Sequence, residues 1–236
     1  MRKPILFVAA AALLVAPAAA QRRPDRDARN GNGNANPSAV IAAEIAFAQL
    51  AQDKGQWTAF RTTATKDAVM FVPQMAYAQA FLKDRADPPA AVKWQPHQVW
   101  SSCDGSLAVT RGAWQRPDGS TGYFTTVWQR QKNLSYKWVL DQGDSMPFPL
   151  DEPEMIAAKV ADCPAGYRPE RAAKPKDFKG DLPALDPAHR SGGSLDGTLT
   201  WDVTVTPEGA RHFVVSMTAD GKQQTVQDLQ VEAPAK

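Results

Sequence analysis

The chain has 236 residues, with 27 Lys and Arg against 25 Asp and Glu, and two cysteines. So even a balance offers no basic face for neutralising phosphates, and nucleic acid is excluded as an expected partner. Beyond the first twenty residues no stretch is apolar enough to cross a bilayer, so no membrane association is expected once that segment is gone.

Residues 1–20 have the three parts of a secretory signal peptide: Arg2 and Lys3, an apolar run from Pro4 to Val15, and a small-residue exit at Ala18, Ala19 and Ala20. The run is shorter than the ~20 residues a spanning helix needs. Cleavage removes two bases and no acid, which leaves the mature chain without net charge. The expected location is periplasmic or secreted. Residues 21–36 contain no aliphatic side chain larger than Ala and read as a disordered tether. In an oxidising compartment Cys103 and Cys163 are expected to form a disulfide, and their spacing is not the C-x-x-C of a redox pair.

Ser38 reads as the cap of a helix over 38–54, with Val40, Ile41, Ile45 and Ala48 at helical spacing and Gly55 as its stop. A second helix is expected from Gln56 to about Thr63, with Trp57 and Phe60 on one face. Residues 67–72 alternate as a short strand closed by Pro73, and 74–83 read as a third helix. Strands follow at about 94–102, 106–116, 121–130 and 136–142, with turns at Asp104-Gly105 and Pro117-Asp118-Gly119. Residues 145–196 read as a short helix, 151–160, and a Pro-rich linker. Residues 197–236 form a small C-terminal antiparallel meander of three strands that would dock on the main domain or on a partner subunit. Helices first and a curved antiparallel sheet after them predict an α+β fold.

The residues Glu44 and Phe47, Gly55, Ala59-Phe60, Asp67, Val69, Phe71 and Pro73, then Gly112, Trp114, Gly122, Trp128, Arg130, Trp138 and Asp141 follow a recognisable order. Over residues 37–144 the chain resembles the nuclear transport factor 2-like superfamily, in particular exported SnoaL-like and ketosteroid-isomerase-like domains of unknown function. The resemblance implies a cone-shaped (cystatin-like) fold whose helices close a curved sheet around an apolar pocket, and a homodimer as a common form.

Enzymes of that kind place a carboxylate or a His in the pocket, where apolar surroundings move its pKa toward the working pH. Three acids are candidates here. Asp67 stands at the start of the early strand, where a turn or cap role is the plainer reading. Asp141 stands late in the last meander strand, with a strand-edge charge as its plainer reading. Glu44 sits among apolar helix residues, with Arg111 and Arg130 as candidate partners. His97, beside Pro96, reads as a surface or capping residue. The three His have no metal-ligand spacing and G-x-S-x-G is absent, so no metal, no cofactor and no Ser nucleophile are expected. Trp57, Phe60, Tyr77, Trp94, Trp114 and Tyr123 are the candidate ligand-binding wall, with ordinary core packing as the alternative for each. Both sides of strand 121–130 are apolar enough to be covered, so either could face the cavity.

Three functions fit. The first expectation is a domain that binds a small apolar or amphipathic ligand. The second is an acid–base isomerase or dehydratase using the same cavity, and the third is an assembly protein with a filled core.

Overall fold

Asn36, rather than Ser38, starts the first helix, in the computed structural model that describes residues 35–168 and 180–234. Its side chain accepts a hydrogen bond from the Ala39 amide at 3.2 Å, and Pro37 occupies the first turn, where its missing N–H costs nothing. Helix α1 then runs Pro37–Lys54 and buries Val40, Glu44, Phe47 and Ala51, one stripe at helical spacing. Gly55 ends it at φ 103°, a left-handed conformation that L side chains resist, and a Cβ there would run into the Asp87 carboxyl. Helix α2, Gln56–Thr63, follows at once. The signal peptide and nearly all of the tether lie outside the described residues.

Strand β1, Ala64–Phe71, is three residues longer at its start than the alternation from Asp67 indicates. The expected third helix divides. Met75–Tyr77 forms β2, because the turn through Pro73 lays it antiparallel to β1 with Phe71 opposite Met75, and only Ala78–Leu82 remains helical, as α3. The central strands are β3 Lys93–Ser101, β4 Leu107–Gln115, β5 Thr121–Arg130 and β6 Tyr136–Met146. The expected helix at 151–160 is a correction: Ala157–Val160 is strand β7, held by parallel pairing with β3. The seven-stranded sheet has the order β2-β1-β6-β5-β4-β3-β7 and is mixed, since β1 also runs parallel to β6.

A second, antiparallel sheet has the order β11-β10-β9-β8, built from β8 His189–Gly193, β9 Leu199–Val205, β10 Arg211–Ala219 and β11 Lys222–Val231. It has four strands rather than three because His189–Gly193, read from sequence as linker, pairs along β9. This sheet docks on the main sheet. Leu199, Val203 and Phe213 share one hydrophobic core with Val69, Val109 and Val127. The opposite face of the main sheet carries the helices, with Phe47, Ala59 and Leu82 packed on Val99, Ala108 and Trp128. Parity along β5 is thereby settled: Val127 faces the second sheet and Trp128 faces the helices.

Polar bonds close the seam between the layers. The Cys103 amide donates to Thr198 Oγ1 at 3.0 Å, the Asp104 amide to Asp196 at 2.8 Å, and Arg190 pairs with Asp67 at 3.1 Å. The Cys103–Cys163 disulfide is present, joining the β3–β4 turn to the segment after β7. Among the described residues no helix is long and apolar enough to cross a membrane.

Candidate functional site

Between the helices and the main sheet lies a cavity of about 570 Å³. The loop 84–92 closes one side of it, with Pro88, Ala90 and Val92 in the wall. Asp87 pins that loop to the start of α2, accepting from the Thr58 amide at 2.9 Å and the Thr58 hydroxyl at 2.5 Å. Burial pushes the Asp87 carboxyl up, but the Thr58 bonds and the Arg61 charge outweigh it and hold the group below its usual range.

Trp57, Phe60, Trp94 and Trp114 stand in the cavity wall, joined by Phe47 and Phe124. Phe47 meets Trp94 and Phe60 edge to face with ring centroids 4.8 Å apart in each case, and Trp57 meets Phe60 at 5.7 Å, so these four rings form one interlocked cluster. At one side Arg116 lies over the Trp114 ring at 4.4 Å. Gly122 makes room for Trp114, since a Cβ there would strike its indole. Tyr77 and Tyr123 are corrections to the expected wall. Tyr77 packs against the interlayer core and donates to the Pro183 carbonyl at 3.1 Å, while Tyr123 has the parity of Val127 and faces the second sheet.

The acids separate clearly. Asp67 turns away from the cavity, bonded to Thr65 at 2.9 Å and paired with Arg190. Glu44 is fully buried behind the aromatic wall, where its carboxyl accepts from Trp94 Nε1 at 2.8 Å, Thr110 Oγ1 at 2.6 Å and Trp128 Nε1 at 2.8 Å. Neither Arg111 nor Arg130 is its partner; Arg111 instead lies over the Tyr123 ring on the other face. Burial raises the Glu44 pKa, and the three donors work against that rise. A carboxyl so fully engaged organises the core rather than meeting a ligand.

Asp141 does reach the cavity. The ladder sets its position: Thr110 opposes Thr126, Thr126 opposes Asp141, and Asp141 opposes Met70, a cross-strand row on the helix-facing side. The Thr126 hydroxyl donates to Asp141 Oδ2 at 2.8 Å. Burial pushes the carboxyl up to about 7, the Glu44 charge adds to the rise, and the Thr126 bond and the Arg211 charge oppose it. A carboxyl poised near neutrality in an aromatic cavity is suited to giving and taking a proton.

His97 lies elsewhere and is not a surface residue. It sits at a bulge in β3, only 9% exposed, in a groove beside α1 and residues 152–156, and its Nε2 has no hydrogen-bond partner. Burial lowers its pKa against the pull of Glu152. Among the described residues no cluster of His, Cys, Asp and Glu could hold a metal ion. No local signal marks the part played by Arg116, Phe124 or the loop 84–92, since their convergence depends on register and loop path.

No family description and no curated protein matches the chain. Among solved structures it is similar to a candidate ketosteroid isomerase from Parabacteroides distasonis, at 15% identity and a TM-score of 0.38, over 47% of this chain and 88% of that one. A candidate aromatic ring hydroxylase from Novosphingobium aromaticivorans is similar at 15% identity and a TM-score of 0.35, over 48% of this chain and 91% of that one. Both neighbours have SnoaL or nuclear transport factor 2-like folds.

Proposed function

We propose that the mature chain acts outside the cytoplasm, in the periplasm or after secretion, and takes a small amphipathic molecule into the aromatic cavity to move a proton on it. Asp141 is the acid–base group. The observation that carries this reading is a carboxyl brought to about 7 in the wall of an apolar cavity. A cavity intended only to hold an apolar ligand gains nothing from a costly, half-desolvated acid. The open volume also argues against a filled core serving assembly alone.

In this reading flat apolar parts of the ligand lie against Trp57, Phe60 and Trp114, and a polar or anionic end reaches Arg116. The Thr126 bond fixes Oδ2 and leaves Oδ1 for the ligand's proton. Ionised Asp141 takes that proton, and the protonated form returns it at another atom, the half-reactions of an isomerisation or a dehydration. Glu44 and Trp128 hold the wall from behind without lining the cavity, bonded to each other and, through Glu44, to Trp94.

The test is proton exchange. A panel of enolisable aromatic and alicyclic ketones is incubated in D2O, and loss of the α-proton signal is followed by NMR. The wild type should accelerate exchange for at least one member, with a rate that climbs as pH rises through about 7, and Asp141→Asn should abolish it. No acceleration, together with a stoichiometric ligand retained in native mass spectrometry, would move the assignment to binding without chemistry.

A further inference from the structure

The β1–β6 ladder ends where Met70 opposes Asp141, and β1 itself stops at Phe71. Strand β6 continues to Met146, so the residues after Asp141 lose their β1 partner on that side while still forming the cavity wall at Gln142, Gly143, Asp144 and Ser145. The second sheet supplies what β1 no longer does. Arg211, the first residue of β10, donates through Nε to Gln142 Oε1 at 3.2 Å and through Nη2 to the Gly143 carbonyl. Its guanidinium also lies over the Phe71 ring at 4.9 Å, at the point where β1 leaves.

We propose that Arg211 is a positioning residue for Asp141: it clamps the edge of β6 that β1 leaves uncovered immediately after the carboxyl and fixes that carboxyl's place in the cavity wall. The inference rests on the reading of Asp141 as the acid–base group. It gives the second sheet, built from strands between His189 and Val231, a part in the site.

Several features support the clamp. A guanidinium holds two acceptors in one plane, which an ammonium cannot do, so the two bonds to adjacent residues fix direction as well as distance. Burial works against the charge of Arg211, with Tyr123, Asp144 and Asp141 as the groups that favour it. The charged and titratable groups acting on Asp141 are Glu44 from α1 and Arg211 from the second sheet, with Thr126 of β5 as its hydrogen-bond donor. On β1, the residue opposite is Met70, and the nearby acid Asp67 is engaged by Arg190. Of these, Arg211 alone offsets the rise with a positive charge.

The experiment is a carboxyl carbon NMR titration of the full chain, with the Asp141 signal identified by its loss in Asp141→Asn. Arg211→Gln should move the Asp141 midpoint upward by about half a unit to one unit, because an opposing positive charge is gone. Arg211→Lys keeps the charge and should restore most of the midpoint. It should still shift the Gly143 carbonyl carbon, since a point-like ammonium lacks the planar fork that sets both bonds. A folded Arg211→Gln protein with an unmoved midpoint would overturn the proposal. If Arg211→Gln does not fold, an Arg211→Lys protein with an unmoved Gly143 signal would do the same. The readout needs no substrate, so an absence of proton transfer would strike the functional reading and leave this one standing or falling by the titration.

Discussion

Replacing Asp141 with Asn should stabilise the protein above neutral pH. The carboxyl is raised from an ordinary value of 3.8 to about 7. Over that interval the folded form holds a proton that the unfolded form has released, so folding takes one up. Stability contributed by this group is therefore greatest at low pH, falls as pH rises from about 4 to about 7, and is flat above. At ~1.4 kcal/mol per unit, a gap of about three units amounts to ~4 kcal/mol, and the partial exposure of Asp141 through the cavity reduces this to about 2–4 kcal/mol. Asn keeps the shape and can still accept from Thr126, but it does not titrate. Urea unfolding of both proteins across this window should give nearly equal stabilities at the acid end and a gap of that size in favour of the variant at the alkaline end. Parallel curves with a constant gap would refute the raised carboxyl and the acid–base role built on it.

Glu44→Ala should cost at least about 3 kcal/mol in the same assay, because Trp94, Thr110 and Trp128 all lose their acceptor in a sealed core. Cys103→Ser opens a cross-link spanning 60 residues and should lower stability by up to about 4 kcal/mol relative to the disulfide-bonded wild type; an unchanged unfolding midpoint would count against a structural disulfide. Trp57→Ala should weaken retention of any native ligand in mass spectrometry, while Tyr123→Phe leaves it unchanged, since only Trp57 meets the cavity. An equal loss from both would contradict the assignment of faces.

Local patterning makes α1, α2 and the four central strands legible: the helices bury one stripe at their own period, and the strands are apolar runs bounded by turn residues. What sequence could not supply was pairing at a distance. Ala157–Val160 and His189–Gly193 have weak strand preference and exist as strands because β3 and β9 offer them a ladder. Met75–Tyr77 has helix-like composition and is a strand for the same reason, because β1 offers it a ladder. The site follows this division. Trp57, Phe60, Trp94 and Trp114 were visible as large aromatics on helices and strands that face one another. Tyr77 and Tyr123 were equally visible and misplaced, because parity gives alternation without saying which side is which. Asp141 was one of three candidate acids, and only the Thr110–Thr126–Asp141 row and its relation to the buried Glu44 distinguish it from Asp67. Arg211 carried no local signal at all.

The layer that supports the cavity from behind belongs to the same polypeptide as the cavity. Surfaces joined in this way cannot be diluted apart, since the chain fixes their effective concentration. The hold of Arg211 on β6 should therefore be the same at nanomolar and millimolar protein, and a dimer, if one forms, would add to this arrangement without being needed to complete it.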